Sequence, residues 1–470
     1  MPRLIETSEV RMKVAGVLQL TNRTLYGMTS RKMPMYLFTP LNRDFPPMAV
    51  ASSETDKTRN KLALVDPLDS TTMGSVGGEK LRRGALSGVI GNCGDPVAER
   101  KAIHFAYSPI TWKTFPMIVE PADHEIVIDV PTTVNIDPPG CVDIDDCISI
   151  WEEDAATKVA ITIADVAEWV RSNPWMTFAE HMGQTVYDEN GAIVRSLFPH
   201  EYRMSLNPGM KRLGIALMFD WVDKKPVNLR FREVTIFNKR KHTYDSIYSA
   251  TDFPVETLRK ICEELAGKPL EDSHEWVETL MIFYNISFAK HLVATKRMGI
   301  LRAHEMPSHE KMVKYDRLGL PGHLAMTAAR YVDVSSCEDH YGMKGAYCHA
   351  SSPIRRWVDV INQLCLKDEC PGADIEKCNT LQSYAKQHRR DLALLSITEK
   401  YAGVKVDGVV VSSTRVWVPE WNRLISVLNG HEEGESVYID FHVDMNKPTW
   451  KQRVVFRCSS PVGVPHLARP

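Results

Sequence analysis

The chain has no excess of charge of either sign. Its 57 Lys and Arg residues face 59 Asp and Glu, a formal net charge of -2. That excludes a globally basic coat for nucleic acid and leaves open local basic channels, because binding follows where charge lies and not its sum. No run of eighteen apolar residues occurs, so no transmembrane helix is expected. The polar opening Met1-Pro2-Arg3-Leu4-Ile5-Glu6 offers no secretory hydrophobic stretch. The ten cysteines contain no CxxC pair, which reads as free thiols in a reducing, intracellular setting, cytoplasmic or nuclear. Cys337, His340, Cys348 and His349 can be drawn as a zinc site, but their spacing matches no strong pattern and reads as scattered core residues. Internal repeats and low-complexity tracts are absent.

What is present is an ordinary globular composition, 44% hydrophobic and 25% charged over 470 residues, long enough for about three domains of ~150 residues. Residues 10–110 read as β-rich, with short runs such as Val14-Ala15-Gly16-Val17-Leu18, Met35-Tyr36-Leu37-Phe38 and Lys61-Leu62-Ala63-Leu64-Val65, a pattern that fits a small barrel. Residues 111–125 form a connector with Pro116 and Pro121. Val159 to Ala164 is a buried-strand candidate. Glu256 to Ala266 and Trp276 to Lys296 read as helices. Trp357, Val360, Ile361 and Leu364 recur at helical spacing, with Pro353 near the start, where a missing N–H costs least. Val404 to Val411 and Ser436 to Phe441 return to strand patterns.

The most informative stretch is Asn135-Ile136-Asp137-Pro138-Pro139-Gly140-Cys141-Val142-Asp143-Ile144-Asp145-Asp146, four carboxylates around a Pro-Pro-Gly turn. Ionised together, they repel unless cations sit among them. Hard divalent cations such as magnesium prefer oxygen ligands. Read alone, the run fits a solvated acidic loop better than a metal site, and an EF-hand less well than either, because the glycine precedes the acids and the position-twelve glutamate is missing. Downstream, Ser352-Pro353-Ile354-Arg355-Arg356 brings guanidinium forks suited to phosphate oxygens. Carboxylates for metal and arginine for phosphate suggest metal-assisted phosphodiester cleavage.

The acidic run resembles the signature of the RNB (ribonuclease II/R) exoribonucleases, with the four aspartates at the family spacing. Tyr347 to Asp359 is similar to the family's second signature. Ile163-Ala164-Asp165-Val166, Ser205-Leu206-Asn207-Pro208 and Gly299 to His304 also resemble family segments, in the family order. The resemblance covers roughly residues 10–420 and is nearest to the eukaryotic exosome-nuclease branch. It implies an α+β RNB catalytic domain over residues 111–401. A cold-shock/OB-like RNA-binding barrel over 1–110 and an S1-like OB barrel over 402–470 would flank it.

The resemblance also implies the chemistry: magnesium-dependent 3′→5′ hydrolysis of single-stranded RNA to nucleoside 5′-monophosphates. Two Mg2+ ions are implied, with Mn2+ able to substitute. Asp137, Asp143 and Asp146 would hold metal, and Asp145 would be tied most closely to the chemical step. Arg355 would contact the scissile phosphate, and Arg356 would be structural or a backbone-phosphate contact. Tyr187, Tyr244 and Glu278 would meet the terminal nucleotides. Lys239-Arg240-Lys241-His242 and Arg389-Arg390 are either solvated faces or part of the RNA route. No membrane partner is implied, and without a PIN-type endonuclease domain stable docking to an exosome core is not expected. Two other functions remain open: a catalytically silent RNA-binding regulator on the same scaffold, and a DNA exonuclease.

The sequence departs from the family at Thr162, where many relatives have histidine, at Gln363-Leu364 in place of His-Arg, and at Thr279 in place of a second acid. The segment from Tyr244 to Trp276 is shorter than its family counterpart, and the piece that supplies a second base-clamping aromatic is expected to be missing from it. Weaker processivity is the expected consequence, with Phe283 and Tyr284 as the first alternative source of a clamp.

Overall fold

The computed structural model describes residues 13–76, 79–108, 118–199, 201–296, 298–336 and 338–460. The early β-rich segment closes into a barrel. Strands β1 (Val14–Leu18), β2 (Met35–Pro40), β3 (Met48–Ala51), β4 (Lys61–Val76) and β5 (Glu79–Asn92) pair in the order β1-β2-β3-β5-β4, and β4 returns to β1. Every residue of β1 is buried, because its two faces meet different cores. Val14 and Leu18 fill the barrel with Tyr36, Phe38 and Val50. Val17 packs with Ala98 and Ala102 of helix α1 (Pro96–Tyr107). The sequence reading did not single out α1, although its start is marked locally. Asp95 caps it by accepting from the Val97 and Ala98 N–H groups, and Pro96 takes the first helical position.

The central sheet has seven strands. In chain order the elements are β6 (Ile126–Ile128), β7 (Thr133–Ile136), β8 (Asp146–Glu153), β9 (Ala156–Ala164), helices α2 (Val166–Ser172) and α3 (Met176–Met182), the short pair β10 (Val186–Tyr187) and β11 (Ile193–Arg195), then β12 (Lys211–Val222), β13 (Lys225–Phe237) and β14 (Arg240–His242). Sheet order is β14-β7-β8-β9-β12-β13-β6. β9 lies centrally and its last six residues are all buried, which accounts for its apolar run. Thr162 interrupts that run, fully buried with its hydroxyl unpartnered, and its position does not explain it.

The expected helices appear as α4 (Val255–Ala266) and α5 (Ser273–His291), the latter continuing into a π-turn over Leu292–Lys296. β15 (Ile300–Ala303), α6 (His309–Arg317) and β16 (Arg330–Asp333) follow, then α7 (Trp357–Leu366) and the long α8 (Ile375–Lys400). Pro353 was expected near the start of α7 and precedes its first residue, Trp357, by four. It lies in the turn before, where the Arg355 N–H reaches the Ser352 carbonyl at 3.3 Å, and Arg356 is the N-cap. Strands β17 (Val406–Ser412), β18 (Arg415–Val418), β19 (Arg423–Ser426), β20 (Ser436–Val443) and β21 (Val454–Ser459) form a sheet ordered β19-β18-β17-β20-β21, with α9 (Trp450–Arg453) between the last two. Its outer strands do not pair with each other, so it is a half-barrel. A buried ion pair ties it to the first barrel: the Arg453 Nη1 donates to Glu99 Oε1 at 2.5 Å, with both side chains 1% exposed. Among the described residues no helix is long and apolar enough to cross a membrane.

Candidate active site

The acidic run is the loop from β7 to β8, and neighbouring strands fix it. Gly140, with φ of 81°, takes the left-handed position after Pro138-Pro139, and the Cys141 N–H closes the turn onto the Pro138 carbonyl at 3.2 Å. The Ser205 hydroxyl accepts from the Ile144 N–H and donates to the Val142 carbonyl, both at 2.9 Å. From the other side, the Ala164 N–H reaches the Asp145 carbonyl at 2.8 Å. The segments resembling family motifs around Ser205 and Ala164 therefore hold the loop.

Each aspartate meets a different environment. Asn135 Nδ2 donates to Asp137 Oδ2 at 2.7 Å, and Asn238 Nδ2 orients Asn135 at 2.7 Å. Tyr187 Oη donates to Asp143 Oδ2 at 2.5 Å. Asp145 is 4% exposed; its Oδ1 accepts from the Ile354 N–H at 3.1 Å, and its Oδ2 lies 3.2 Å from Arg355 Nε. Asp146 is also buried, and its Oδ2 has no partner. Burial pushes the Asp145 carboxyl up to about 7, against the pull of Arg355. Burial, then Asp137 and Asp145, raise Asp146 well above the usual range. Burial also raises Asp137, despite Asn135. Three carboxylates thus resist ionisation because the protein supplies too little positive charge beside them.

Tyr187 and Arg355 are brought together by backbone. The Thr185 N–H bonds the Arg355 carbonyl at 3.0 Å, and the Trp357 N–H bonds the Gly183 carbonyl at 2.9 Å. Gly183 ends α3 at φ 73°, where a side chain would strike Leu381 of α8. Arg355 is half exposed and opens into a cavity of about 360 Å3, lined also by Tyr187 and Ser352. Arg356 lines the same cavity, but its fork is taken by Asp359, whose Oδ1 accepts from Nη2 at 2.9 Å. Asp359 Oδ1 also accepts from the Ser352 N–H at 2.8 Å, so Arg356 and Asp359 buttress the turn that carries Arg355.

Residues 128–260 match the family profile described as the RNB domain. The chain carries an RNB domain of the ribonuclease II/R family. It is similar to the exosome complex exonuclease RRP44 of Mus musculus, with 21% identity over 74% of this chain and 46% of that protein. The human protein of the same description gives 22%. The chain spans about half the length of these curated relatives. The fold matches the apo form of Mycoplasma genitalium RNase R with a TM-score of 0.71, covering 96% of this chain and 90% of that one at 16% identity. Yeast Ssd1, described as a pseudonuclease, matches with a TM-score of 0.64 at 15% identity, covering 94% and 68%.

Other residues singled out in the RNB chain lie elsewhere or are otherwise engaged. Tyr244 stands near the acidic loop; burial, then Asp137 and Asp146, push its hydroxyl up to about 12. Glu278 is exposed and lines a separate groove with Phe283, which shares no lining residue with the Arg355 cavity. Tyr284 is fully buried, donating to the Ile215 carbonyl at 3.2 Å, so it presents no face to a base. The 239–242 basic run is largely occupied: Lys239 pairs with Asp129, Arg240 with Asp252, and Lys241 donates to the Cys141 carbonyl. Of the drawn zinc set, Cys337 lies outside the described residues. Cys348 bonds the Asn285 carbonyl at 3.4 Å, and His349 bonds the Tyr331 hydroxyl at 2.9 Å. The trio His124, Asp165 and Glu233 has ligand atoms within 4.8 Å of one another. The Lys367 ammonium already sits there, 2.8 Å from Asp165 and 2.9 Å from Glu168, so the cation this cluster needs is covalently part of the chain. Sequence reasoning assigned no role to Ser205, Asn135 or Asp359, though each falls inside a quoted motif.

Proposed function

We propose that this chain is a magnesium-dependent 3′→5′ exoribonuclease that degrades single-stranded RNA to nucleoside 5′-monophosphates. One observation carries the reading: a buried, unpartnered carboxylate oxygen on Asp146, among carboxylates that burial holds against ionisation, next in sequence to Asp145, whose partner Arg355 opens into a cavity. That donor set fits a hard divalent cation. Asp137, Asp143, Asp145 and Asp146 would hold magnesium, which when bound supplies positive charge at a phosphodiester and lowers the pKa of water. The chain's own side chains then have defined work. Arg355 places a planar cation against phosphate oxygens where negative charge grows. Arg356 and Asp359 keep that turn in place. Tyr187 anchors Asp143 and offers its ring to a base. On this reading residues 1–110 and 402–470 are RNA-binding flanks of a catalytic unit over 111–401, Tyr244 stands at the 3′ end, and Glu278 contacts RNA only if a strand reaches its separate groove.

A second reading is a silent RNA-binding regulator, favoured by the similarity to a pseudonuclease. Digestion of a 5′-labelled single-stranded RNA with magnesium and with chelator, beside DNA of the same sequence, separates the readings. Magnesium-dependent shortening from the 3′ end of RNA is expected. Binding without shortening would establish the regulator, and equal shortening of DNA would overturn the RNA preference.

A further inference from the structure

The cavity that receives Arg355 has a second wall, built by elements outside the acidic loop and its supports. Tyr107 at the end of α1 and His388 and Arg389 of α8 line it together with Tyr187. Tyr107 and His388 are fixed in place. Tyr107 Oη donates to Asp391 Oδ2 at 2.9 Å, and His388 Nε2 lies 2.9 Å from His104 Nδ1 of α1. At about 360 Å3, the space suits one nucleotide, since small-molecule sites begin near ~300 Å3.

Leading away from this wall is a row of cations. Lys386, Arg389 and Arg390 stand three and four residues apart on α8 and share one face. Among the described residues none of the three has an acidic side-chain partner. The acids nearby are engaged: Asp391 by Tyr107 and by Lys451 at 3.0 Å, and Asp188 of the cavity wall by its own turn, accepting from the Asn190 N–H at 2.9 Å. The charges crowd one another instead: burial, then Arg302, Arg390 and Arg389, push the Lys386 ammonium down. Such a row contrasts with Lys239 and Arg240, whose charges are met by aspartates. A cluster of cations without acidic partners beside a nucleotide-sized slot is matched by the negative charges of a phosphate backbone.

We propose that α8 is the rail for the substrate strand: Arg389, flanked by Lys386 and Arg390, holds phosphates on the 5′ side of a nucleotide whose base lies between Tyr187 and the Tyr107–His388 wall. This rests on single-stranded RNA being the ligand of the site. It also supplies, from α1 and α8, the second wall that the short Tyr244–Trp276 segment does not provide. Arg389 is exposed, so its replacement should leave the fold intact.

The test is a salt titration of RNA binding, with Asp145→Asn protein to prevent turnover and a labelled single-stranded oligomer as probe. Each lost phosphate contact lowers the salt slope of single-strand binding by ~0.7. Arg389→Ala is expected to lower it by about that amount and to weaken binding several-fold. Lys386→Ala/Arg389→Ala/Arg390→Ala should lower it by ~2. Lys224→Ala, at an exposed hairpin paired with Glu264, should leave it unchanged. With Asp145 intact, Arg389→Ala should raise KM and leave kcat within about twofold. An unchanged slope in the triple variant would overturn the rail, whether or not the wild type hydrolyses RNA. Binding with the expected slope change but no hydrolysis by the wild type would support the rail and sink the nuclease reading alone. No RNA binding by any form would overturn both.

Discussion

Two groups of buried carboxylates sit at the same end of β9 and have opposite electrostatic fates. Asp146 faces Ile163 in the β8–β9 register, and Asp165 follows Ala164 directly. Around Asp165, burial would raise the carboxyl, but His124 and Lys367 overcome it and hold Asp165 below its ordinary value. In the β7–β8 loop burial wins, and Asp137, Asp145 and Asp146 are all raised. Burying a charge is costly unless a counter-charge comes with it. One cluster carries its cation on a lysine stem and is finished as a piece of architecture. The other has a guanidinium at one edge and an orphaned oxygen, and among the described residues no further cation completes it.

The sharpest way to break this contrast is chemical. Asp145→Asn keeps the shape and removes the charge, so hydrolysis should fall by on the order of 10³-fold or more while RNA binding persists. A purified variant that digests labelled RNA at the wild-type rate would remove Asp145 from the chemistry. Next, Arg355→Ala should lower turnover by roughly 10²–10³-fold and affinity far less, with Arg355→Lys rescuing poorly because a point charge lacks the fork. Lost affinity with full turnover at saturation would make Arg355 a tether only.

The same contrast predicts opposite stability effects. Lys367→Met leaves Asp165 buried beside other acids and should cost about 3–5 kcal/mol in denaturant unfolding. Asp146→Asn, measured in chelator, should be neutral or stabilising, because it removes a charge that the fold does not compensate. A large loss from Asp146→Asn under those conditions would mean the two clusters are alike.

The contrast also predicts a pH dependence of opposite sign in the two clusters. In chelator, between about pH 4 and 7, unfolded Asp145 gives up its proton while the folded group, at about 7, keeps it. Stability therefore falls as pH rises through that window, by at most about 4 kcal/mol from this group. Asp165, lowered in the fold, contributes stability above the ordinary carboxyl range and loses it as pH falls through its folded value. Unfolding curves across this range should converge for wild type and Asp145→Asn near pH 4 and separate toward pH 7. Saturating magnesium should close that gap. Parallel curves at all pH values would show that burial is not what raises Asp145.

The candidate site was legible where it is local. Asp137 to Asp146 lie in one loop, Arg355 follows within a short motif, and the strands and helices around them carry plain apolar periods. What could not be read depends on partners far along the chain. Lys367 and Asp165 are 202 residues apart, so nothing in either motif reveals that this acid is already neutralised. The 239–242 run looks like an RNA contact until Asp129 and Asp252 are seen beside it. Tyr107 and His388 have no signature at all, because an aromatic at a helix end and a histidine mid-helix are ordinary core residues until a cavity joins them. Arg389 was visible as a charge, but its lack of an acidic partner was not.

The Glu99–Arg453 pair carries a consequence for synthesis. Its members are 354 residues apart, so a ribosome working at ~5–20 residues per second makes Arg453 roughly 20–70 s after Glu99. Throughout that interval α1 holds an acid meant for a dry interior, and Lys451, which approaches Tyr107 from α9, does not yet exist. The first barrel can close early, since its strands are contiguous. Its helix can settle against the rest only after α8 and Arg453 have been made, and the far wall of the cavity, which α8 supplies through His388 and Asp391, settles with it. A nascent chain that already displays all four aspartates would thus still lack a closed slot in which to hold a strand.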